Sequence, residues 1–122
     1  TCFLEPDSQL DMMYMPDALR AAMELMDAPA DALKHRNAFN LAAEPVTPAA
    51  LADAIKAHIP SFEIDYDVDP VKQKIADSWP KRVDDSAARE EWGWRHEFDT
   101  AAMVEDMLAK LAPRLGVASP VG

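Results

Sequence analysis

The run Asp69-Pro70-Val71-Lys72-Gln73-Lys74-Ile75-Ala76-Asp77-Ser78-Trp79-Pro80 reads as one short helix with its start and stop both marked. Asp69 suits the position just ahead of the helix. Pro70 suits the first helical position, where its missing N–H would have had no intrahelical partner. The helix runs to about Asp77. Trp79 then enters an extended segment, because a residue before proline is steered out of the helical region. Just upstream, residues 62–69 alternate strictly. Phe62, Ile64, Tyr66 and Val68 point one way; Glu63, Asp65, Asp67 and Asp69 point the other. A period of two with one wet face is a strand. A strand feeding straight into a helix makes this a mixed α/β chain.

Working outward, Thr47-Pro48 carries the same start signal, and Leu51, Ala54, Ile55 and Ile59 bear the apolar face up to Pro60. Ala38-Phe39-Asn40-Leu41-Ala42 and Met12-Met13-Tyr14-Met15 are short apolar runs of strand length. Pro16 opens a helix to about Asp27, with Leu19, Met23 and Met26 on one stripe, and Ala28-Pro29-Ala30 breaks it. On the other side, Asp84, Asp85 or Ser86 caps a helix that stops at Gly93. Asp99 caps a last helix whose stripe is Met103, Met107, Leu108 and Leu111, and Gly116 lies past its end. The predicted order is β-α-β-α-β-α-(β)-α-α, a few short strands with about five helices. The body is 1–116 and residues 117–122 are a tail. Wholly apolar strands normally lie between neighbours, and this chain offers few. The expectation is a partial fold, a piece of a larger α/β enzyme. The first residues, Thr1 to Pro6, lack an initiator Met, a basic region and an apolar signal core, and read like the middle of a longer protein.

Of the 122 residues, 49% are apolar, enough for a core and too many for a disordered chain. No stretch approaches the roughly 20 apolar residues of a membrane span. The net charge of -10 argues against nucleic acid or an anionic membrane as partner, since both need basic patches. Cys2 is the sole cysteine and fits a reducing cytoplasm. Asp65, Asp67 and Asp69 look like the start of a calcium loop, but Pro70 and Ala76 stand where the loop needs Gly and Glu. They read as a solvated strand face. His35, His58, His96 and Cys2 have no metal-ligand spacing. Methionine stripes are more often core than recognition surface. By position alone Trp79 is either a plug or part of a ligand pocket, whereas Trp92 and Trp94, flanking Gly93, are packing residues. The glycines are Gly93, Gly116 and Gly122, and none opens a strand–helix turn. There is no phosphate-cradling loop and no dinucleotide fingerprint.

Residues 84–94, Asp84-Asp85-Ser86-Ala87-Ala88-Arg89-Glu90-Glu91-Trp92-Gly93-Trp94, resemble the D-x-S-x-A-x-x-x-x-G-W signature near the end of extended short-chain dehydrogenases of the UDP-galactose epimerase type. Tyr14 to Ala21 resemble that group's aromatic-x-x-D-x-x-x-A segment, and Phe39-Asn40-Leu41 its Y-N-[IL] strand. Asp69 to Pro80 resemble more narrowly the D-P-V-R-Q-x-I-A-D-S-W-P run of the short-chain-type L-threonine 3-dehydrogenases; Phe3-Leu4 and Met12-Met13-Tyr14 match the same subfamily. The resemblance covers about residues 2–112. It departs from the sugar-nucleotide branch, whose diphosphate is gripped by two arginines. Leu10 stands near the first, and Gln73 or Lys74 near the second.

The resemblance implies the C-terminal, substrate-side portion of an enzyme that oxidises the 3-hydroxyl of L-threonine with NAD to 2-amino-3-oxobutyrate. It carries over no catalytic residue, because the family's Y-x-x-x-K motif is absent: Ala18 lies four residues after Tyr14, and Pro70 four after Tyr66. What carries over is a substrate wall of Asp77, Ser78 and Trp79, with Lys74 beside it. NAD belongs to the full-length family, and none is expected for this chain alone. The chain is expected to be cytoplasmic, inactive by itself and homo-oligomeric. The alternatives are a stand-alone, self-associating α/β module, or a fragment of a nucleotide-sugar epimerase or dehydratase.

Overall fold

The helices begin where caps fix them. The computed structural model, which describes residues 1–121, places α1 at Met15–Asp27 with Pro16 in its first turn. α2 is Pro48–His58, and the Thr47 hydroxyl accepts the Ala50 N–H at 3.2 Å. α3 is Pro70–Asp77, and Asp69 Oδ1 accepts from the N–H groups of Val71 (2.9 Å) and Lys72 (3.2 Å). α5 is Thr100–Leu115, where Asp99 Oδ1 accepts from Ala102 at 2.8 Å and Gly116 ends the helix at φ 68°. Each such cap contributes about 1 kcal/mol. α4, Ser86–Glu91, starts differently: Asp84 Oδ1 accepts the Ser86 N–H at 3.0 Å, while Asp85 reaches forward to Arg89 at 2.8 Å. Among the described residues no helix is long and apolar enough to cross a membrane.

Among the described residues the architecture is mixed α/β, five helices and one small sheet, as expected. The strands lie elsewhere than expected. β1 (Leu10–Asp11) pairs antiparallel with β2 (Pro45–Val46), Leu10 opposite Val46 and Asp11 opposite Pro45. The runs 12–15 and 38–42 form no ladder among the described residues; Tyr14 instead stands extended just ahead of α1 and Met15 opens it. Residues 62–67 keep the predicted alternation, with 63, 65 and 67 exposed and 62, 64 and 66 half-buried, but the last pair reverses it: Val68 is exposed and Asp69 half-buried, its carboxylate turned to cap α3. They meet only one short neighbour. Cys2 N–H donates to Asp65 O at 2.7 Å, and Asp67 N–H donates to Cys2 O at 2.9 Å, a single parallel bridge. Apolar alternation says which side chains turn inward; a ladder also needs a second backbone alongside.

The core forms around Trp94, which is fully buried with Ala21 and Ala88. The two alanines bring α1 and α4 close to the indole, and Met13, Phe39, Leu41 and Trp92 pack around them. Gly93, at φ 79°, turns the chain back so that Trp94 N–H reaches Ala88 O at 3.2 Å. The indole Nε1 donates to Ala42 O at 3.3 Å, which ties the 38–42 run to this core. Asp17 lies one turn before Ala21 on the same face and is also fully buried. Its carboxylate accepts the N–H groups of Glu97 and Phe98, both at 3.0 Å, and pairs with Arg20 at 2.8 Å. The Arg20 guanidinium in turn lies 4.8 Å from the Trp94 ring centre. The D-x-x-x-A and G-W pieces are therefore scaffold.

Candidate functional site

α3 is pinned at both ends, and its two sides face different surroundings. Gln73 is buried at 8% exposure and uses every donor and acceptor of its amide. Its Oε1 accepts from Glu5 N–H at 2.9 Å and Ser8 Oγ at 3.0 Å; its Nε2 donates to Ser8 Oγ and to Asp77 Oδ1, both at 2.8 Å. One side chain thus holds the 5–8 turn against the helix and orients the carboxylate one turn ahead. Asp77, Gln73, Glu5, Asp7 and Lys81 line a small polar cleft of about 90 Å³. At the start of the helix, the backbone N–H of Lys72, then that of Val71, holds the Asp69 carboxyl below its usual value.

The other side is apolar. Trp79, Ile75, Phe3, Leu4 and Leu10 line a recess of about 240 Å³, with Lys72 at its edge. The Lys72 ammonium lies 4.5 Å from the Phe3 ring centre, where the electron-rich ring face attracts it. Trp79 is 57% exposed, so its indole is only partly spent on packing. A larger apolar hollow of about 270 Å³, between α2 and residues 62–64, is lined by Leu51, Ile55, Phe62 and Ile64. Its lining carries no charged group to orient a ligand.

The four expected site residues therefore separate by role. Asp77 faces the polar cleft and Trp79 the apolar recess. Ser78 donates its hydroxyl to Ile75 O at 2.6 Å and secures the end of the helix. Lys74 is exposed and lines neither hollow. The sequence resemblance sets Gln73 only near an arginine of other enzymes, yet its spacing carries a signal: a Gln four residues before an Asp places the two side chains together on a helix.

The described glycines do not build a dinucleotide turn. Gly93 and Gly116 end helices, where backbone carbonyls rather than N–H groups project, the wrong polarity for a diphosphate. The Tyr14 hydroxyl is committed to Asp106 Oδ2 at 2.7 Å. The hydrogen bond to Asp106, with partial burial, raises its pKa above the ordinary tyrosine value, opposite to what a tyrosine base needs. Among the described residues no three His, Cys, Asp or Glu side chains come together as a metal site.

No protein-family model matches the chain. The mitochondrial L-threonine 3-dehydrogenases of Bos taurus and Sus scrofa are 50% and 52% identical to it over 107 residues, 88% of this chain and 28% of each relative. An uncharacterised epimerase/dehydratase of Staphylococcus saprophyticus is 47% identical over 106 residues, 87% of this chain and 33% of that protein. The solved L-threonine dehydrogenase of Clostridium difficile superposes with a TM-score of 0.89 at 49% identity, covering 96% of this chain and 36% of that one. The holo form of the GalE-like L-threonine dehydrogenase of Cupriavidus necator gives 0.84 at 51% identity, covering 90% and 35%. The chain thus spans about a third of the length of the relatives it matches.

Proposed function

The chain belongs to the extended short-chain dehydrogenase superfamily, among relatives that include L-threonine 3-dehydrogenases, and we propose that it is the C-terminal, substrate-side part of such an enzyme. The parent reaction is the NAD-dependent oxidation of L-threonine to 2-amino-3-oxobutyrate. The observation that carries this reading is the end of α3, where an exposed Trp79 and a Gln73-held Asp77 stand on adjoining sides of one short helix. Trp79 covers the substrate and excludes water. Asp77, whose Oδ1 is taken by Gln73, offers its other oxygen to orient the substrate. Ser78 holds the turn between them, and Lys74 adds positive charge on the outer flank. A nucleotide-sugar substrate fits this wall poorly. The Gln73 amide is used up within the chain, Lys74 lacks an arginine's bidentate fork, and the Leu10 side chain has no donor to give a diphosphate.

In this reading the chain alone turns over no threonine and binds no NAD, and it self-associates. It resides in the cytoplasm, which cell fractionation tests directly, since the bovine and porcine relatives are mitochondrial by name. Calorimetric titration with NAD, with L-threonine, and with both together tests the central claim. No heat from NAD supports it; saturable NAD binding overturns it, because the substrate-side part would then hold a cofactor site of its own.

A further inference from the structure

Lys72, Ile75, Ala76 and Trp79 are spaced by three, one and three residues, so they share one side of α3 and its end, and all four line the apolar recess. Phe3, Ile75 and Trp79 form much of its wall and are 50%, 52% and 57% exposed, so the wall keeps apolar surface to offer. Lys72 is the one charged residue in the lining. A recess of about 240 Å³ with a single cation at its edge has room for a small molecule that is part apolar and part anionic.

The Lys72 ammonium is held at that edge without being satisfied there. Its backbone N–H donates to Asp69 Oδ1 at 3.2 Å, which fixes the residue in the first turn of α3. The ammonium lies 4.5 Å from the Phe3 ring centre. That attraction places the charge but leaves its three N–H donors without a lone pair to meet. Its ion-pair partner, Asp69 Oδ2, stands 3.6 Å away, beyond hydrogen-bond length, and an exposed pair of this kind is weak. Asp69 is in any case committed through Oδ1 to capping the helix.

We propose that Lys72 is a specificity-determining residue of this wall, its ammonium binding the α-carboxylate of the amino-acid substrate while Trp79 and Ile75 cover the substrate's carbon chain. The proposal rests on the reading of this face as the substrate wall and adds the feature by which the wall selects, a free carboxylate on a short chain. A carboxylate at the edge of the recess gains charge-assisted hydrogen bonds from the ammonium. Those bonds strengthen as water leaves the apolar wall. An uncharged analogue with the same carbon chain meets the same wall and gains none of them. With a net charge of -10 on the chain, anions are repelled in general, and a recess lined by a cation and no carboxylate is where one is favoured.

The test uses an intact enzyme carrying this segment, assayed with NAD against L-threonine and against L-threonine amide, whose carboxamide keeps the shape of the carboxylate without its charge. Lys72→Met should raise the Michaelis constant for L-threonine at least about tenfold and leave those for the amide and for NAD within about twofold. The preference for L-threonine over its amide, as a ratio of kcat/KM, then falls at least about tenfold, and Lys72→Arg, which keeps the charge, should retain most of it. Lys72 is exposed, so the fold should tolerate both changes. Equal losses on the two substrates, as a merely structural role would give, or an unchanged preference in Lys72→Met, overturns the proposal and leaves the Trp79 wall standing. A wild-type intact enzyme that does not oxidise L-threonine overturns the substrate-wall reading itself, and this proposal with it.

Discussion

Asp17→Asn changes almost no volume and probes the most buried polar contact in the fold. The carboxylate now accepts the Glu97 N–H at 3.0 Å, the Phe98 N–H at 3.0 Å and the Arg20 guanidinium at 2.8 Å. An amide oxygen at the Oδ2 position can still serve both backbone donors, since Oδ2 accepts from Phe98 at 3.0 Å and from Glu97 at 3.1 Å. The NH₂ group then stands at the Oδ1 position, facing the Arg20 guanidinium with no lone pair to offer it, although Arg20 keeps Glu24 at 2.6 Å. The lost charge-assisted bond costs about 2 kcal/mol, a large share of the ~5–15 kcal/mol typical of a domain. Urea titration at neutral pH, followed by tryptophan fluorescence, should show a lower midpoint with an unchanged slope. The pH dependence has a definite sign. Burial pushes the Asp17 carboxyl up, but Arg20 and the N–H groups of Phe98 and Glu97 outweigh it and hold it below the usual value. A depressed carboxyl contributes fully above its unfolded value of about 3.9 and loses that contribution as pH falls through its folded value. The gap between wild type and variant should therefore be widest near neutrality and narrow below about pH 4. A loss under about 0.5 kcal/mol at neutral pH, the scale of an ordinary surface substitution, would refute the reasoning. So would a gap that stays constant under acid.

Gly93→Ala places a Cβ in open space, but at φ 79° it should cost about 1 kcal/mol from backbone strain alone. An unchanged thermal midpoint would count against that. Gln73→Leu strands the Glu5 N–H and removes the partners of Ser8 and Asp77, so about 2–3 kcal/mol should be lost in chemical denaturation. A neutral result would show the 5–8 turn held by something else. Trp79→Ala should cost under about 1.5 kcal/mol in the same assay, because the indole is 57% exposed, yet raise the Michaelis constant for threonine in an intact enzyme carrying this segment. An unchanged constant would remove Trp79 from the substrate wall.

Helix positions were legible because their signals are local. Thr47, Asp69 and Asp99 each accept an N–H two or three residues ahead, and Gly93 and Gly116 end helices at positive φ. All of this is set by residues within one turn of each other. Strand positions were not, because pairing depends on distant chain. Residues 62–67 of the 62–69 run show the right alternation, yet the run's one backbone partner is Cys2-Phe3, more than sixty residues earlier. The same holds for Asp17. Its charge and place in the motif were visible, but the donors that give it a purpose are 80 and 81 residues away. Asp85 shows a local signal that misleads, since two rival carboxylates stood at the start of α4 and the one nearer the helix chose Arg89.

The run from Asp69 to Pro80 carries the narrowest resemblance, and helical geometry divides it into two jobs. Asp69, Gln73 and Asp77 recur every four residues, so they share one side of α3. Asp69 starts the helix and Gln73 ties it to the 5–8 turn; Gln73 and Asp77 both line the cleft, but the Gln73 amide is fully used while Asp77 has only Oδ1 taken. Lys72, Ile75, Ala76 and Trp79 lie round the helix on the recess side, and of these Trp79 has the largest surface still uncovered. A run can therefore be highly characteristic while most of it is scaffold. On the proposed reading, selectivity for a small substrate would rest on what the scaffold residues exclude as much as on what Trp79 touches. Near the place where sugar-nucleotide enzymes carry an arginine stand Gln73, whose amide is saturated, and Lys74, which lacks the bidentate fork that grips a diphosphate.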